Sequence, residues 1–330
     1  MRKLKYVTFF TESSPNPTLV GGKGLNLSKL GKIKATMPPG FIVNTNAYKK
    51  FIEKSSYHDQ LIDLFSKNID PKDVLNHSKE LKSSILKSTF PEDIKKEIKE
   101  VFDEKFNNYL NKEVSFAVRS SATIEDSKAF SFAGQAESFL NNNNLDEILI
   151  SIKNCWSSLF SPQALLYLLQ MKKKGIYFSL LNISMAVIIQ EMINSEVSGV
   201  LFSVNVLDNN TTQMLINSTW GLGETVTDNL VVPDMIILNK NEFKIIKYDI
   251  GKKEKKSIQN PNGSGTILIK NDQHSKSVCS LTDNQLHQLY DLGLKLENEF
   301  NYPQDIEWAI QNDVVYVLQT RPITTLKDKP

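Results

Sequence analysis

The chain has 330 residues, 40% hydrophobic and 23% charged, enough to bury the cores of two lobes and too apolar to be disordered. Its 39 Lys and Arg exceed its 37 Asp and Glu by only two (39 minus 37), so bulk charge argues against nucleic acid or membrane binding and positive groups must act locally. Cys155 and Cys279 stand alone without disulfide or metal-type spacing, the basic start Met1-Arg2-Lys3-Leu4-Lys5 lacks a signal-peptide apolar run, and no stretch has the length of a membrane span, so the chain reads as cytoplasmic.

A short strand is expected at Tyr6 to Phe10, followed by a Ser/Pro/Asn-rich loop leading to Gly21 and a helix carrying Leu27 and Leu30 that Gly31 ends. A strand follows at Phe41 to Val43, and Thr45 is placed to cap the next helix. Helical spacing then continues from Lys72 to Lys87 and, after Pro91, through Ile94, Ile98, Val101 and Phe102. Val114 to Val118 and Glu137 to Leu140 read as strands, the Asn141 to Asn144 run as a turn, and Leu145 to Trp156 and Pro162 to Lys174 as helices. From Met185 the pattern is mostly β, with strands near Met185 to Gln190, Gly199 to Val204, Met214 to Asn217, Met235 to Leu238 and Phe243 to Tyr248. Lys252 to Gly265 reads as an exposed loop, and Leu281 to Phe300 as a helix running into a terminal hairpin.

Several segments carry chemistry. Gly21-Gly22-Lys23-Gly24 can turn tightly at a helix start and face its amides to an anion, with Lys23 adding charge; it has neither Walker A nor dinucleotide spacing, and a surface helix start explains it too. Arg119, at the end of its strand and followed by Ser120, Ser121 and Ala122, suits bidentate phosphate contact or equally a core ion pair. The loop Phe130 to Gln135, with Gly134, could close over a nucleotide or simply turn. Gln190-Glu191-Met192 ends a buried strand, where backbone groups can meet an adenine edge, although many strands end in this way. Glu224, after Trp220-Gly221-Leu222-Gly223, either supports a metal or is solvated.

In the terminal hairpin, a three-residue loop of Asn312, Asp313 and Val314 sets Glu307 opposite Gln319 and Asp305 opposite Arg321. All four then share one face, with Ile306, Trp308, Ile310, Tyr316 and Leu318 on the other. Carboxylate, amide and guanidinium together suit a divalent cation held with phosphate oxygens, while an edge hairpin with a solvated face satisfies the same pattern.

In this order, the segments Gly21-Gly22-Lys23-Gly24, Arg119-Ser120-Ser121-Ala122, Phe132-Ala133-Gly134-Gln135, Gln190-Glu191-Met192, Gly199-Val200-Leu201-Phe202, Gly221-Leu222-Gly223-Glu224, Asp305-Ile306-Glu307-Trp308 and Gln319-Thr320-Arg321-Pro322 resemble the nucleotide-binding domain of the phosphoenolpyruvate synthase and pyruvate phosphate dikinase family, which includes the rifampicin phosphotransferases. The resemblance covers nearly the whole chain. It implies an α+β, ATP-grasp fold in which residues 1–190, with a helical insertion at about 45–112, and residues 191–330 form two lobes that clamp ATP and Mg²⁺ in the cleft between them. It also implies that Lys23 and Arg119 hold the polyphosphate under the Gly134 and Gln135 loop, and that Gln190, Glu191 and Met192 contact adenine. Glu307 and Gln319 would bind Mg²⁺, supported by Asp305 and Glu224, and Arg321 would hold the terminal phosphate.

The family passes its phosphoryl group to a histidine on a swivelling domain and from there to a third domain. Here the chain runs from Arg321 only to Pro330, and His58, His77, His274 and His287 lie outside any Gly-rich Ser-His setting, so the acceptor histidine is expected on a separate domain or partner protein. Ala136 and Asp228-Asn229 stand where a larger polar residue and a glycine are expected. Two other readings remain: a regulatory subunit that binds nucleotide without turnover, and a ligase of the same fold that activates a carboxylate.

Overall fold

The computed structural model describes residues 4–11, 16–54, 70, 72–106, 114–123, 137–173 and 184–324. The chain divides into two compact units, residues 1–33 with 39–192 and residues 34–38 with 193–330. The strip Lys34–Pro38, expected within the first lobe, thus belongs with the second unit.

In the first unit, β1 (Val7–Phe9), α1 (Pro17–Lys32), β2 (Gly40–Val43), α2 (Thr45–Glu53), α3 (Val74–Lys87), α4 (Glu92–Phe106), β3 (Phe116–Ala122), β4 (Ser138–Asn142), α5 (Leu145–Ser158), α6 (Pro162–Lys173) and β5 (Met185–Glu191) build a five-stranded antiparallel sheet of order β1-β2-β5-β3-β4 with helices on both faces. One face supplies Phe41, Val43, Phe116, Val118, Val187 and Ile189 to an aromatic core in which the Phe51 and Trp156 rings lie 4.8 Å apart. Trp156 donates its indole N–H to Met185 O at 3.2 Å, so this large ring is buried without a lost hydrogen bond. β1 is fastened from the side by Glu97, whose buried carboxylate accepts the amides of Lys5, Tyr6 and Val7 at 3.0, 2.6 and 2.9 Å.

Two helix starts differ from expectation for the same reason, an asparagine just upstream. Asn16 accepts the Thr18 amide at 2.9 Å, so α1 begins at Pro17 rather than after Gly21, and Asn44 accepts the Asn46 amide at 3.0 Å in place of a Thr45 cap. Thr45 instead donates its hydroxyl to Thr18 O at 2.8 Å.

In the second unit, β6 (Val197–Phe202), β7 (Gln213–Trp220), α7 (Glu224–Thr227), β8 (Asp234–Asn239), β9 (Lys244–Asp249), β10 (Lys255–Gln259), β11 (Thr266–Lys270), α8 (Gln273–Ser277), α9 (Asp283–Phe300), β12 (Gln304–Gln311) and β13 (Val314–Pro322) form a six-stranded antiparallel sheet of order β13-β12-β6-β7-β8-β9 and a separate β10-β11 ribbon. α9 opens on a capping box between Thr282 and Gln285 and stops at Asn301, whose φ of 59° ends the helix. It packs its apolar stripe on one sheet face, so closely at Gly293 that a Cβ there would sit 3.0 Å from Leu201 Cδ2. Thr36 O accepts the Val317 amide at 2.9 Å, which ties the Lys34–Pro38 strip to β13.

The ribbon overturns the expected exposed loop at Lys252 to Gly265. Lys253 is fully buried and ion-paired with Asp234. Asp234 also accepts the Gly251 amide at 2.9 Å and the Ser280 amide and hydroxyl, each at 2.8 Å. A charge this deep is tolerated because both Asp234 oxygens are hydrogen-bonded and the Lys253 ammonium donates to Asp234 and to Gly251 O at 3.0 Å.

Candidate functional site

The terminal hairpin keeps the expected pairing by a different route. Its loop has two residues, Asn312 (φ 51°) and Asp313 (φ 58°), the left-handed pair of a tight primed turn, so Gln311 pairs with Val314. A bulge then inserts Leu318 between the Trp308–Val317 and Glu307–Gln319 pairs, and the one-residue slip restores Glu307 opposite Gln319 and Asp305 opposite Arg321. The correction falls on the apolar face. Pairing sets Val317 beside Trp308 and Val315 beside Ile310, while Tyr316, expected there, lies opposite Ala309 on the polar side.

On that polar side Arg321 donates from Nε to Asp305 Oδ2 at 2.7 Å, and Gln319 Nε2 donates to Glu307 Oε1 at 3.4 Å. The two ends of the ion pair differ in setting: the Asp305 side chain is 10% exposed and that of Arg321 59%. Burial pushes the Asp305 carboxyl up despite the opposing pull of Arg321. Gln319 is 4% exposed, and its carbonyl Oε1 is buried with no hydrogen-bond partner. An orphaned acceptor of this kind costs stability unless something absent from the free chain completes it.

In the first unit, Gly21 has φ 69° and ψ 179°, a kink inside α1 that only glycine adopts freely. A Cβ there would lie 2.2 Å from Ser121 O. Ser121 Oγ donates to Val20 O at 2.8 Å and accepts the Gly24 amide at 3.0 Å, so this serine latches the glycine segment to β3. The Gly24 amide is therefore committed and is not a free anion donor, a correction to the sequence reading. Lys23 reaches back over the same strand and donates to Ser120 O at 3.1 Å.

Arg119 is mid-strand rather than at a strand end, because β3 continues through Ser120, Ser121 and Ala122, which pair with Val187, Ala186 and Met185. Alternation puts Arg119 on the Ser121 side of β3, the side α1 covers, and the Ala117–Gln190 pairing puts Gln190 there as well. Lys23, Arg119 and Gln190 are thus gathered on one sheet face. The neighbouring expectation for adenine needs correcting at its donors: the Glu191 amide goes to Pro39 O at 2.9 Å and the Met192 amide to Ser115 O at 2.8 Å. Gly134, Gln135 and Ala136 lie outside the described residues.

Glu224 opens α7, and its Oε1 accepts hydroxyls from Ser257 on β10 and, at 2.5 Å, from Thr266 on β11. It anchors the ribbon. Sequence reasoning missed Ser121, Ser257 and Thr266 as positioning groups; each acts across a sheet or ribbon that local pattern does not reveal. Asn229 has φ 54°, which accounts for the expectation of glycine at that position.

Among the described residues no cluster of three or more His, Cys, Asp or Glu could hold a metal ion. Magnesium does not need one, since it uses one or two protein oxygens and completes its octahedron with phosphate and water. Glu307 beside the unpartnered Gln319 carbonyl fits that demand, with Asp305 and Arg321 on the next rung. Acid, amide and guanidinium thus stand together on one face of the hairpin.

The chain belongs to the family of the pyruvate phosphate dikinase AMP/ATP-binding domain, which matches residues 17–330. It is 35% identical to a phosphoenolpyruvate synthase of Pyrococcus furiosus over 98% of this chain and 44% of that protein. It is 33% identical to a probable phosphoenolpyruvate synthase of Methanocaldococcus jannaschii over 98% of this chain and 27% of that protein. With a rifampicin phosphotransferase of Bacillus subtilis it shares 36% identity over 94% of this chain and 34% of the relative. The chain thus spans less than half the length of these relatives. No helix among the described residues is long and apolar enough to cross a membrane.

Proposed function

We propose that the chain is the ATP-cleaving part of a phosphotransferase, an ATP-grasp fold whose two units act as lobes clamping Mg·ATP and which passes a phosphoryl or pyrophosphoryl group to a histidine on a separate swivelling domain or partner protein. The buried, partnerless carbonyl of Gln319 beside Glu307 carries this reading. In it Glu307 and Gln319 hold Mg²⁺, Asp305 aims Arg321 at the terminal phosphate, and Lys23 and Arg119 grip the remaining phosphates. Gln190 to Met192 border adenine, and Glu224 keeps the ribbon in place. The metal, when bound, neutralises phosphate oxygens and keeps them in line for transfer, so the protein's part is alignment and charge placement rather than covalent chemistry.

The relatives are named for different reactions, a phosphoenolpyruvate synthesis and a rifampicin phosphorylation, yet share this domain at 35% and 36% identity. On this reading the domain is the common donor, and the final acceptor is selected elsewhere.

Titration calorimetry with Mg·ATP tests the site: Glu307→Ala and Arg321→Ala should each weaken binding about tenfold to a hundredfold, the range for losing a charge-assisted contact. Unchanged affinity in both variants refutes the assignment. With a histidine-carrying domain of the family added, labelled ATP should mark that domain and release AMP. Release of ADP onto a small carboxylic acid would favour a ligase, and no turnover with any carrier would favour a nucleotide sensor. Strong labelling of the isolated chain on its own histidines would rule out the separate acceptor.

A further inference from the structure

The outer strand of the second unit, β9, exposes all six of its residues, including Ile245 (41%), Ile246 (48%) and Tyr248 (45%). It ends the six-stranded sheet, so one row of its backbone N–H and C=O groups lacks a strand partner. Its pairing with β8 contains a bulge: Ile237 pairs with Lys247 and Leu238 with Ile245, leaving Ile246 as the extra residue. That insertion has a consequence for symmetry. Ile245 and Tyr248, three positions apart, fall on the same face, the one they share with Leu238 and Ile236, while Lys244, Lys247 and Asp249 fall on the other.

We propose that β9 is a self-pairing surface through which two copies of this chain join edge to edge, antiparallel, into one continuous sheet. A two-fold axis perpendicular to a sheet preserves its faces, so the register must pair residues of like face. Centring the axis between Ile246 and Lys247 does so on the outer rungs, setting Lys244 against Asp249 of the second copy and Ile245 against Tyr248 of the second copy, each contact twice, with the bulge residue Ile246 against Lys247 of the second copy at the centre. Sliding by one residue either way sets Ile245 opposite Lys247 or opposite Asp249, on the wrong face, and the second slide also sets Lys247 against itself. Lysines on an edge strand ordinarily keep other strands away. Here one carboxylate serves two lysines: Asp249 is paired within its own strand with Lys247 at 2.7 Å and in the dimer also meets Lys244 of the second copy.

Six residues a side is small beside the roughly 20–30 of a standard interface, so the association is reversible and falls near the micromolar range. Sedimentation velocity on the full chain, from about 1 to 300 µM to bracket that range, should show a concentration-dependent monomer–dimer equilibrium. Lys244→Asp and Asp249→Lys should each weaken it by about tenfold or more, because two attractive contacts become two like-charge ones, and the double exchange should restore it. Unchanged thermal unfolding of the three variants shows that the fold is intact. A chain that stays monomeric at the highest concentration overturns the proposal, as does a dimer indifferent to the single exchanges or not restored by the double one. A chain that associates only with an added histidine-carrying polypeptide overturns it too.

Discussion

Replacing Gln319 by Met separates the metal-acceptor reading from a purely structural one by the sign of its effect. Met matches the length of Gln and removes the amide. In the free chain Gln319 carries a buried carbonyl oxygen with no partner, a burden of about 1–3 kcal/mol. What Met gives up is one long contact, Gln319 Nε2 to Glu307 Oε1 at 3.4 Å, worth at most about 0.5–1 kcal/mol at that separation. The balance predicts that Gln319→Met stabilises the free protein by about 1 kcal/mol, or roughly 2–4 °C in the transition that melts the second unit. Nucleotide reverses the order. At a hundredfold excess over its dissociation constant a ligand adds about 2.7 kcal/mol, and a hundredfold loss of affinity reduces that to about 0.4 kcal/mol. Thermal unfolding with and without Mg·ATP reads both effects in one experiment. A variant that melts below the parent without ligand, yet keeps the parent's full shift with Mg·ATP, refutes the reasoning.

Three further outcomes follow from described contacts. Burial raises the Asp305 carboxyl, so the folded protein holds that proton more tightly than the unfolded chain; the associated stability is present below the ordinary carboxylate range and is lost as pH rises through the raised value. Asp305→Asn should therefore gain stability relative to the parent as pH rises above about 4, read by denaturant titration across pH, while Mg·ATP binding weakens because Arg321 loses its guide. Gly21→Ala should cost more than about 3 kcal/mol, since a forbidden φ combines with a Cβ only 2.2 Å from Ser121 O, and urea unfolding should show it. Glu97→Ala leaves the amides of Lys5, Tyr6 and Val7, at the start of β1, without their acceptor and should cost about 2–3 kcal/mol, with faster amide exchange confined to residues 5–7.

The sheet strands and long helices were legible because their apolar periods are strong, whereas the α+β, ATP-grasp class came from the family resemblance. The hairpin register is legible for a more accidental reason: the sequence predicts a loop one residue longer than the structure has, and a bulge at Leu318 makes up the difference, with Tyr316 moved to the polar side as its trace. Arg119 was placed on its strand but at the wrong point, since Ser120 and Ser121 look like loop residues until a helix is seen packed over them. The β10-β11 ribbon escaped notice because neither face is well buried, so no alternation is written into it, and buried Lys253 gives no local sign of Asp234. Contacts of long sequence separation, such as Thr266 with Glu224, leave no pattern to read.

The strip Lys34–Pro38 makes the molecule harder to cut than a two-domain diagram suggests. The chain leaves the first unit, lends five residues to the second, where Thr36 accepts the Val317 amide, and returns before crossing for good at Met192. A gene split at that last crossing yields an amino-terminal product carrying a strip that belongs to its neighbour and a carboxyl-terminal product missing it. Complementation between the two halves, rather than autonomous folding of either, is the behaviour such a threaded boundary favours.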